Sequence, residues 1–292
     1  MTSNKIIPEA HPIPTHYPCI GKYELDLTRG CPVRCIYCGV KEEEKTTKLD
    51  ISSIINRPIT EDIRKKGIYL SPNSDPFSKQ ARENAHNILK KFLPERVPFL
   101  IITKNKIPTE TTDLLAKYPE QVYTQISIAR LDDELNRYIE PGAANLSDRL
   151  ENIKNLHSVG INVTVILMPI YPEVDDIDEN LSTLVSKCSE AGAKYLKAAY
   201  VVINPKDEQQ VNLMRNNPIL NRSWEQMTEY LKIHIGGGMT APEYRRLQLY
   251  ETLNELCASN NMKFQTCPIL DPAVLKSVSI PICRTYIRRG GE

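Results

Sequence analysis

The stretch Tyr23–Gly39, YELDLTRGCPVRCIYCG, sets the reading of the whole chain. Its first six residues, Tyr23–Thr28, read as a short strand. A loop with three thiols, Cys31, Cys35 and Cys38, follows at once. Strand-like runs then recur at Lys66–Ser71 (KGIYLS), Pro98–Thr103 (PFLIIT), Val122–Ala129 (VYTQISIA), Val163–Pro169 (VTVILMP) and Tyr195–Ile203 (YLKAAYVVI). Helical stretches separate them: Ala81–Phe92, Thr109–Lys117, a segment with Leu146, Leu150, Ile153 and Leu156 at helical spacing closed by Gly160, and Ile177–Ala191. Strands alternating with helices argue for parallel βα units. Near-continuous apolar runs such as VTVILMP fit buried parallel strands. The right-handed crossover rule curls such a series into an open or closed barrel. The expected fold is α/β, a partial parallel (β/α)6 TIM-like barrel with a C-terminal helical and loop extension.

Residues 1–20, rich in proline and histidine, read as an extended arm, 21–235 as the barrel and 236–292 as the extension. Residues 206–256 are mostly helical and polar, and 257–292 loop-like. The active face of such a barrel lies at the C-terminal ends of its strands. Cys31, Ser71, Lys104, Ser127 and Pro169 are therefore expected on one rim.

The chain of 292 residues, 41% hydrophobic, is long enough for one large core. Its 37 basic and 36 acidic residues leave a formal charge of +1, which offers no basic footprint for duplex DNA. No apolar run approaches the roughly 18 residues of a membrane span. The N-terminal MTSNKIIPEAHPIPTHYP has no apolar core of a secretory signal. A cytoplasmic location is expected, with the eight cysteines as reduced thiols or metal ligands.

Gly30–Gly39 has the spacing Cys-x3-Cys-x2-Cys. A loop of this kind wraps three thiolates around one face of an iron–sulfur cubane, leaving one iron open. Two other readings compete. Structural zinc takes four closed ligands, often as two Cys-x2-Cys pairs, and no matching second pair follows at finger spacing. Chance thiols do not account for the spacing, for Tyr37 before the last cysteine, or for the βα series behind them.

From about Tyr23 to Pro205 the sequence resembles the radical S-adenosylmethionine superfamily and, within it, the spore-photoproduct-lyase-like branch. Beyond the cysteine loop, the resemblance rests on Ser71–Phe77 (SPNSDPF), Ile101–Asn105 (IITKN), Ile126–Leu135 (ISIARLDDEL), Glu140–Ala143 (EPGA), the helix Leu146–Gly160 and the strand ending VILMPIYP at Pro172. It implies a [4Fe–4S] cluster on Cys31, Cys35 and Cys38. S-adenosylmethionine would chelate the open iron and be cleaved reductively to a 5′-deoxyadenosyl radical. An electron donor of the flavodoxin or ferredoxin type is also implied.

At matched positions the resemblance puts Ser71 at the methionyl end of the cofactor and Lys104 on its carboxylate as a point charge. Ser127 would meet the ribose or carboxylate. Tyr37 would lie near the adenine, as a cofactor-binding and candidate catalytic residue. Asp26 and Arg130 are further candidates. Plainer roles stand beside these: Ser71 and Asp75 as caps of the following helix, and Lys104 as a solvated loop lysine. Ser127 lies among apolar neighbours, where an inward hydroxyl needs a partner.

Two departures from the photoproduct lyase matter. Where the lyase has a hydrogen-donating cysteine before the serine of the second strand, this chain has Leu70. Where the lyase has a tyrosine after the last cluster cysteine, it has Gly39. DNA repair is disfavoured on that account. Cys257, Cys267 and Cys283 admit three readings: compact packing thiols, a second iron–sulfur cluster, or, for Cys283, a catalytic hydrogen donor or lid residue over the barrel mouth. Cys19 and Cys188 look isolated.

No winged-helix leader-binding domain and no basic, aromatic-studded strip for nucleic acid are visible. The expected substrate is a ribosomally made peptide, recognised with a small partner protein; tyramine excision by a peptide splicease falls in this class. The alternatives are a DNA lesion and a small metabolite.

Overall fold

A computed structural model describes residues 23–38, 45–229, 234–235, 238–267, 271 and 273–274. Cys19, Gly39 and Cys283 lie outside them. The chain opens with β1 (Tyr23–Leu25) and an antiparallel ribbon, β2 (Thr28–Arg29) with β3 (Thr47–Lys48). Next come α1 (Ser52–Ile55), α2 (Glu61–Lys66), β4 (Ile68–Leu70), α3 (Arg82–Phe92), β5 (Phe99–Thr103) and α4 (Thr109–Leu115). They lead to β6 (Val122–Ser127), α5 (Asp133–Ile139), α6 (Leu146–Ser158), β7 (Val163–Ile170), α7 (Asp178–Glu190) and β8 (Tyr195–Tyr200). Two helices, α8 (Glu208–Arg215) and α9 (Pro218–Glu229), precede a second ribbon, β9 (His234–Ile235) with β10 (Gly238–Met239). The described chain closes with α10 (Glu243–Ser259) and β11 (Lys263–Gln265).

Seven strands form one sheet in the order β1-β4-β5-β6-β7-β8-β11, and every neighbouring pair is parallel. The α/β, barrel-like expectation stands. The sheet gains a seventh strand, β11, from a stretch read as loop. The triplet Lys-Phe-Gln has one apolar residue and no run to announce it; pairing with the edge of β8 makes it a strand. Tyr250, Leu253, Cys257 and Phe264 join the same core as the earlier strands, so α10 and β11 are built into the barrel body. Among the described residues no pairing joins β11 to β1, and the seven parallel strands have the order of a partial barrel.

Helix-facing strand residues such as Ile126, Val165, Leu196 and Phe264 lie in one register row and are buried. The helices answer with i, i+3, i+4, i+7 stripes, as in Ala85, Ile88, Leu89 and Phe92 of α3. Each large apolar side chain so buried contributes about 1.5–3 kcal/mol. In α6 the same stripe reads Arg149, Asn152, Ile153 and Leu156, half of it polar. A second apolar cluster joins Met214, Leu220 and Met227 of α8–α9 to Leu135, Ile139 and Tyr171, with Ile36 and Tyr37 packed against it. The α8–α9 hairpin thus covers the side of the rim that carries the cysteine loop.

Candidate active site

Because the strands run parallel, their C-terminal ends share one rim. The thiol loop follows β1 and β2, Ser71 follows β4, Lys104 follows β5, Ser127 ends β6 and Pro169 lies near the end of β7. Local hydrogen bonds stitch the first two ends together. The Ser71 amide donates to the Leu25 carbonyl (2.8 Å), and its hydroxyl accepts from the Leu27 amide (3.3 Å). Asp26 accepts from the backbone and side chain of Asn73 (3.1 and 2.8 Å). Ser71 itself has φ +55°, a left-handed value unusual for a residue with a Cβ.

Neither Ser71 nor Asp75 caps α3, whose N-cap is Ala81 without a side-chain cap bond. Asp75 instead accepts from the Phe77 amide (2.9 Å), the Thr103 hydroxyl (2.8 Å) and the Lys104 amide (2.7 Å). It fixes the turn from which Lys104 projects.

Within the thiol loop, the Cys38 amide donates to the Cys35 carbonyl (3.1 Å). Cys31 and Cys35 are half-buried and Cys38 is exposed. Burial pushes the Cys31 thiol up, and burial pushes Cys35 up to about 12 although the Lys104 ammonium opposes it. The charge of Cys38 reaches both of the others. Among the described residues, no three His, Cys, Asp or Glu side chains are drawn onto a single metal-ion point. Cubane ligation asks for none, because each thiolate takes its own iron. An all-thiol set of three, grouped within electrostatic reach at a strand end, fits such a cluster.

Glu140 holds this loop to the barrel. Its carboxylate is fully buried and accepts from the Tyr37 hydroxyl (2.5 Å) and from Arg149 (2.8 Å). Arg149 also donates to the carbonyls of Ser127 and Ala144, both at 2.8 Å. Burial pushes the Glu140 carboxyl up, but Lys104, Arg149 and the Tyr37 hydroxyl together outweigh it and hold its pKa low. The Lys104 Nζ stands 5.9 Å from the centroid of the Tyr37 ring. Burial alone would lower its pKa, yet Glu140, Cys35 and Asp75 hold the ammonium above the usual lysine range. Lys104 is half-buried against the Tyr37 ring and is not a fully solvated loop lysine.

The segment after Glu140 grips the thiol loop directly. The Ile36 amide donates to the Ile139 carbonyl (3.0 Å) and the Gly142 amide to the Val33 carbonyl (2.9 Å). A Cβ on Gly142 would run into the Pro32 carbonyl oxygen and stand 2.8 Å from Val33 Cα. Both obstacles are backbone, so the loop itself must move. Gly142→Ala is therefore expected to lower stability by about 1–3 kcal/mol and to reduce the iron retained after anaerobic reconstitution. Denaturant unfolding and iron per chain check it; wild-type values in both would mean the contact yields easily.

The sequence alone gives Glu140 and Arg149 no role. The available signal is Arg149 itself, a charge in line with Ile153 and Leu156 on the buried face of α6. Arg130 is engaged in structure. It donates to both oxygens of Asp175 (3.1 Å each), to Asn136 Oδ1 (3.1 Å) and to the Pro169 carbonyl (3.4 Å), tying the end of β6 to that of β7.

For the C-terminal thiols, Cys257 is a core residue beside Cys188, and burial pushes both up to about 12. Its carbonyl accepts from Met262, just before β11, whereas Cys267 follows the other end of that strand. About 16 Å of extended chain separates the two ends. Cys257 and Cys267 thus belong to opposite ends of β11.

A parallel βα barrel with an all-thiol loop at the end of its first strand, and a lysine and two serines on the same rim, defines a class of cluster-bearing enzyme. Residues 25–185 match the model of the Radical SAM superfamily, and the chain belongs to that superfamily. It is 31% identical over 192 residues to Uncharacterized protein ORF301 of Acidianus two-tailed virus, a match covering 58% of this chain and 64% of that protein. The chain thus spans less than two thirds of that relative. Among solved structures it resembles a spore photoproduct lyase mutant, with a TM-score of 0.64 at 13% identity, covering 84% of this chain and 76% of the lyase. It also resembles Streptococcus suis SuiB bound to precursor peptide SuiA, with a TM-score of 0.58 at 16% identity, covering 93% and 55%. Both are likenesses of fold. No helix among the described residues is long and apolar enough to cross a membrane.

Proposed function

We propose that this chain reductively cleaves S-adenosylmethionine at a [4Fe–4S] cluster held by Cys31, Cys35 and Cys38, and uses the radical to take a hydrogen atom from a ribosomally made peptide. The observation that carries the reading is the meeting of the three-thiol loop with Lys104, Tyr37 and Glu140 on one rim. When bound, the reduced cluster supplies the electron that breaks a C–S bond of S-adenosylmethionine and yields a 5′-deoxyadenosyl radical.

The protein's own residues bind and orient. Glu140 shares its charge between Arg149 and Lys104, which leaves the Lys104 ammonium charged and available to a cofactor carboxylate. The Tyr37 ring, tied to Glu140, offers a fixed flat surface to the adenine. Ser71 and Ser127 bring hydroxyls from β4 and β6 toward the methionyl and ribose ends. Arg130 positions β6 against β7.

One observation weighs against a DNA lesion: Leu70, at the place of the lyase's hydrogen-donating cysteine, is fully buried in the main hydrophobic core. The fold is shared with both peptide-bound SuiB and the photoproduct lyase and favours neither substrate. A flavodoxin- or ferredoxin-type donor and a small peptide-recognition protein complete the proposal, with tyramine excision one reaction of the class.

Reconstituted, reduced enzyme should form 5′-deoxyadenosine and change the mass of a cognate precursor peptide. Cofactor cleavage with candidate peptides left intact would sink the peptide assignment. Lys104→Ala should weaken S-adenosylmethionine binding by about 1–3 kcal/mol, as for a lost charge-assisted hydrogen bond. An unaltered Kd would remove Lys104 from the cofactor site.

A further inference from the structure

A buried polar group without a partner is rare in a folded chain and calls for a reason. Two such hydroxyls, of Tyr171 and Ser223, share one seat beside the thiol loop. Tyr171 directly follows β7, at the rim end of that strand, and is 0% exposed. It belongs to the second apolar cluster, which packs Ile36 and Tyr37 of the thiol loop against the α8–α9 hairpin. Ser223, also 0% exposed, faces the same cluster from α9, between Leu220 and Met227 on the buried stripe of the helix. Gln226, one turn on, has a bare Oε1, and its Nε2 meets Glu173 at 3.4 Å. That is a long bond for a tie between α9 and the loop after β7.

The charges around this seat are already matched. Arg130 pairs with Asp175, Arg149 with Glu140 and Arg245 with Glu173. Burial pushes the Tyr171 phenol up against the opposing Arg130, and Asp175, Glu140 and Cys35 push it further, so it stays neutral. The wall is apolar and rich in methionine, with Met214, Met227 and Met239. Methionine is unbranched and repacks readily around an inserted group. The seat thus offers neutral hydrogen-bonding groups within an adaptable apolar surround.

We propose that the seat between α9 and the end of β7 takes a backbone amide of the substrate peptide, with the Tyr171 and Ser223 hydroxyls as its hydrogen-bond partners and the methionine-lined wall holding an apolar side chain beside it. The seat's place in catalysis rests on the peptide reading proposed above. An amide offers one N–H and one carbonyl, and each hydroxyl can donate to the one or accept from the other. It carries no charge and so needs no counter-ion. A phosphate or a carboxylate would find Arg130, Arg149 and Arg245 already taken. A residue seated there lies against Ile36 and Tyr37, the two side chains between Cys35 and Cys38. The substrate this selects is a peptide with an apolar residue at that point.

The chain carries its own reporter. Trp224 is its single tryptophan and packs against the same cluster. The test is a fluorescence titration of the full chain with three probes: N-acetylleucine methylamide, N-acetylaspartate methylamide and thymidine. The leucine probe should shift the Trp224 emission and bind about tenfold or more tightly than the aspartate probe, whose charge finds no partner. Tyr171→Phe and Ser223→Ala should each weaken the leucine probe by about three- to tenfold, as for one lost neutral hydrogen bond. Both variants should unfold no earlier than wild type, and about 2–4 °C later where the cost of burying a bare hydroxyl is removed. Affinity lost while stability is gained marks a binding hydroxyl, since loss of a structural one lowers stability and leaves the probe unaffected. Ser223→Ala carries the test should Tyr171→Phe not fold. No binding of the leucine probe, unchanged affinity in both variants, a lower midpoint in both, or tighter binding of the aspartate probe or of thymidine would each overturn the proposal. Formation of 5′-deoxyadenosine by reconstituted wild-type enzyme tests the radical reading separately. Cleavage without probe binding overturns the seat alone, whereas probe binding without cleavage overturns the radical reading.

Discussion

Replacing Cys31, Cys35 and Cys38 together with alanine should strip the reconstituted protein of its rim cluster, about four irons per chain. The fold should survive. None of the three belongs to either apolar core, and Cys38 is exposed. Small changes at such positions cost little stability, on the order of 0.5 kcal/mol. The comparison that makes the result specific is Cys188→Ala with Cys257→Ala. Those two thiols are fully buried in the main core, and neither lies on the rim. Their loss should lower stability, by about 1 kcal/mol or more for the small cavities left behind, and leave iron content unchanged. Separate readouts of iron per chain and of the unfolding midpoint thus divide the cysteines into two groups. Full iron retention by the triple variant would assign the metal to another set of thiols and overturn the proposed function.

That division is partly legible in the amino-acid sequence. Cys31, Cys35 and Cys38 are local in sequence, so their spacing alone announces them. Ser71, Lys104 and Ser127 are legible at one remove, because each follows or ends an apolar run and parallel strands bring such ends to one rim. What stays hidden depends on distant partners. Glu140 meets Tyr37 across 103 residues, and Arg130 meets Asp175 across 45. Each sequence segment shows a charge and gives no sign of what neutralises it. The strand β11 is hidden for a different reason. With three residues and one buried side chain it has no periodicity of its own, and its state is set by the edge of β8. Placing Cys257 and Cys267 at opposite ends of that strand requires knowing that it is one. The cover formed by α8 and α9 is hidden too, since Met214, Leu220 and Met227 form an apolar surface only once the two helices fold back on each other.

The strongest stability effect among these distant contacts is expected at Glu140. One buried carboxylate there faces two cations, Arg149 through a 2.8 Å ion pair and Lys104 through space, and also accepts the Tyr37 hydroxyl. Glu140→Gln removes the only negative charge of that trio while leaving Arg149, whose side chain is 2% exposed, without a counter-ion. Breaking a buried pair from one side costs about 3–5 kcal/mol, because the surviving charge stays desolvated. Arg149→Met should cost less. Glu140 then keeps Lys104 and Tyr37, and Arg149's bonds to the Ser127 and Ala144 carbonyls are the main loss. The asymmetry is the signature of a shared carboxylate, since two isolated partners would cost similar amounts. Adding Lys104→Met to Glu140→Gln should recover part of the loss, because one of the two orphaned cations is then gone. Denaturant unfolding of wild type, Glu140→Gln, Lys104→Met and their double measures the coupling directly, with Arg149→Met unfolded beside them for the asymmetry. If Glu140→Gln is no less stable than Arg149→Met, Glu140 does not balance both cations, and the thiol loop is held by Gly142 and Ile139 backbone contacts instead.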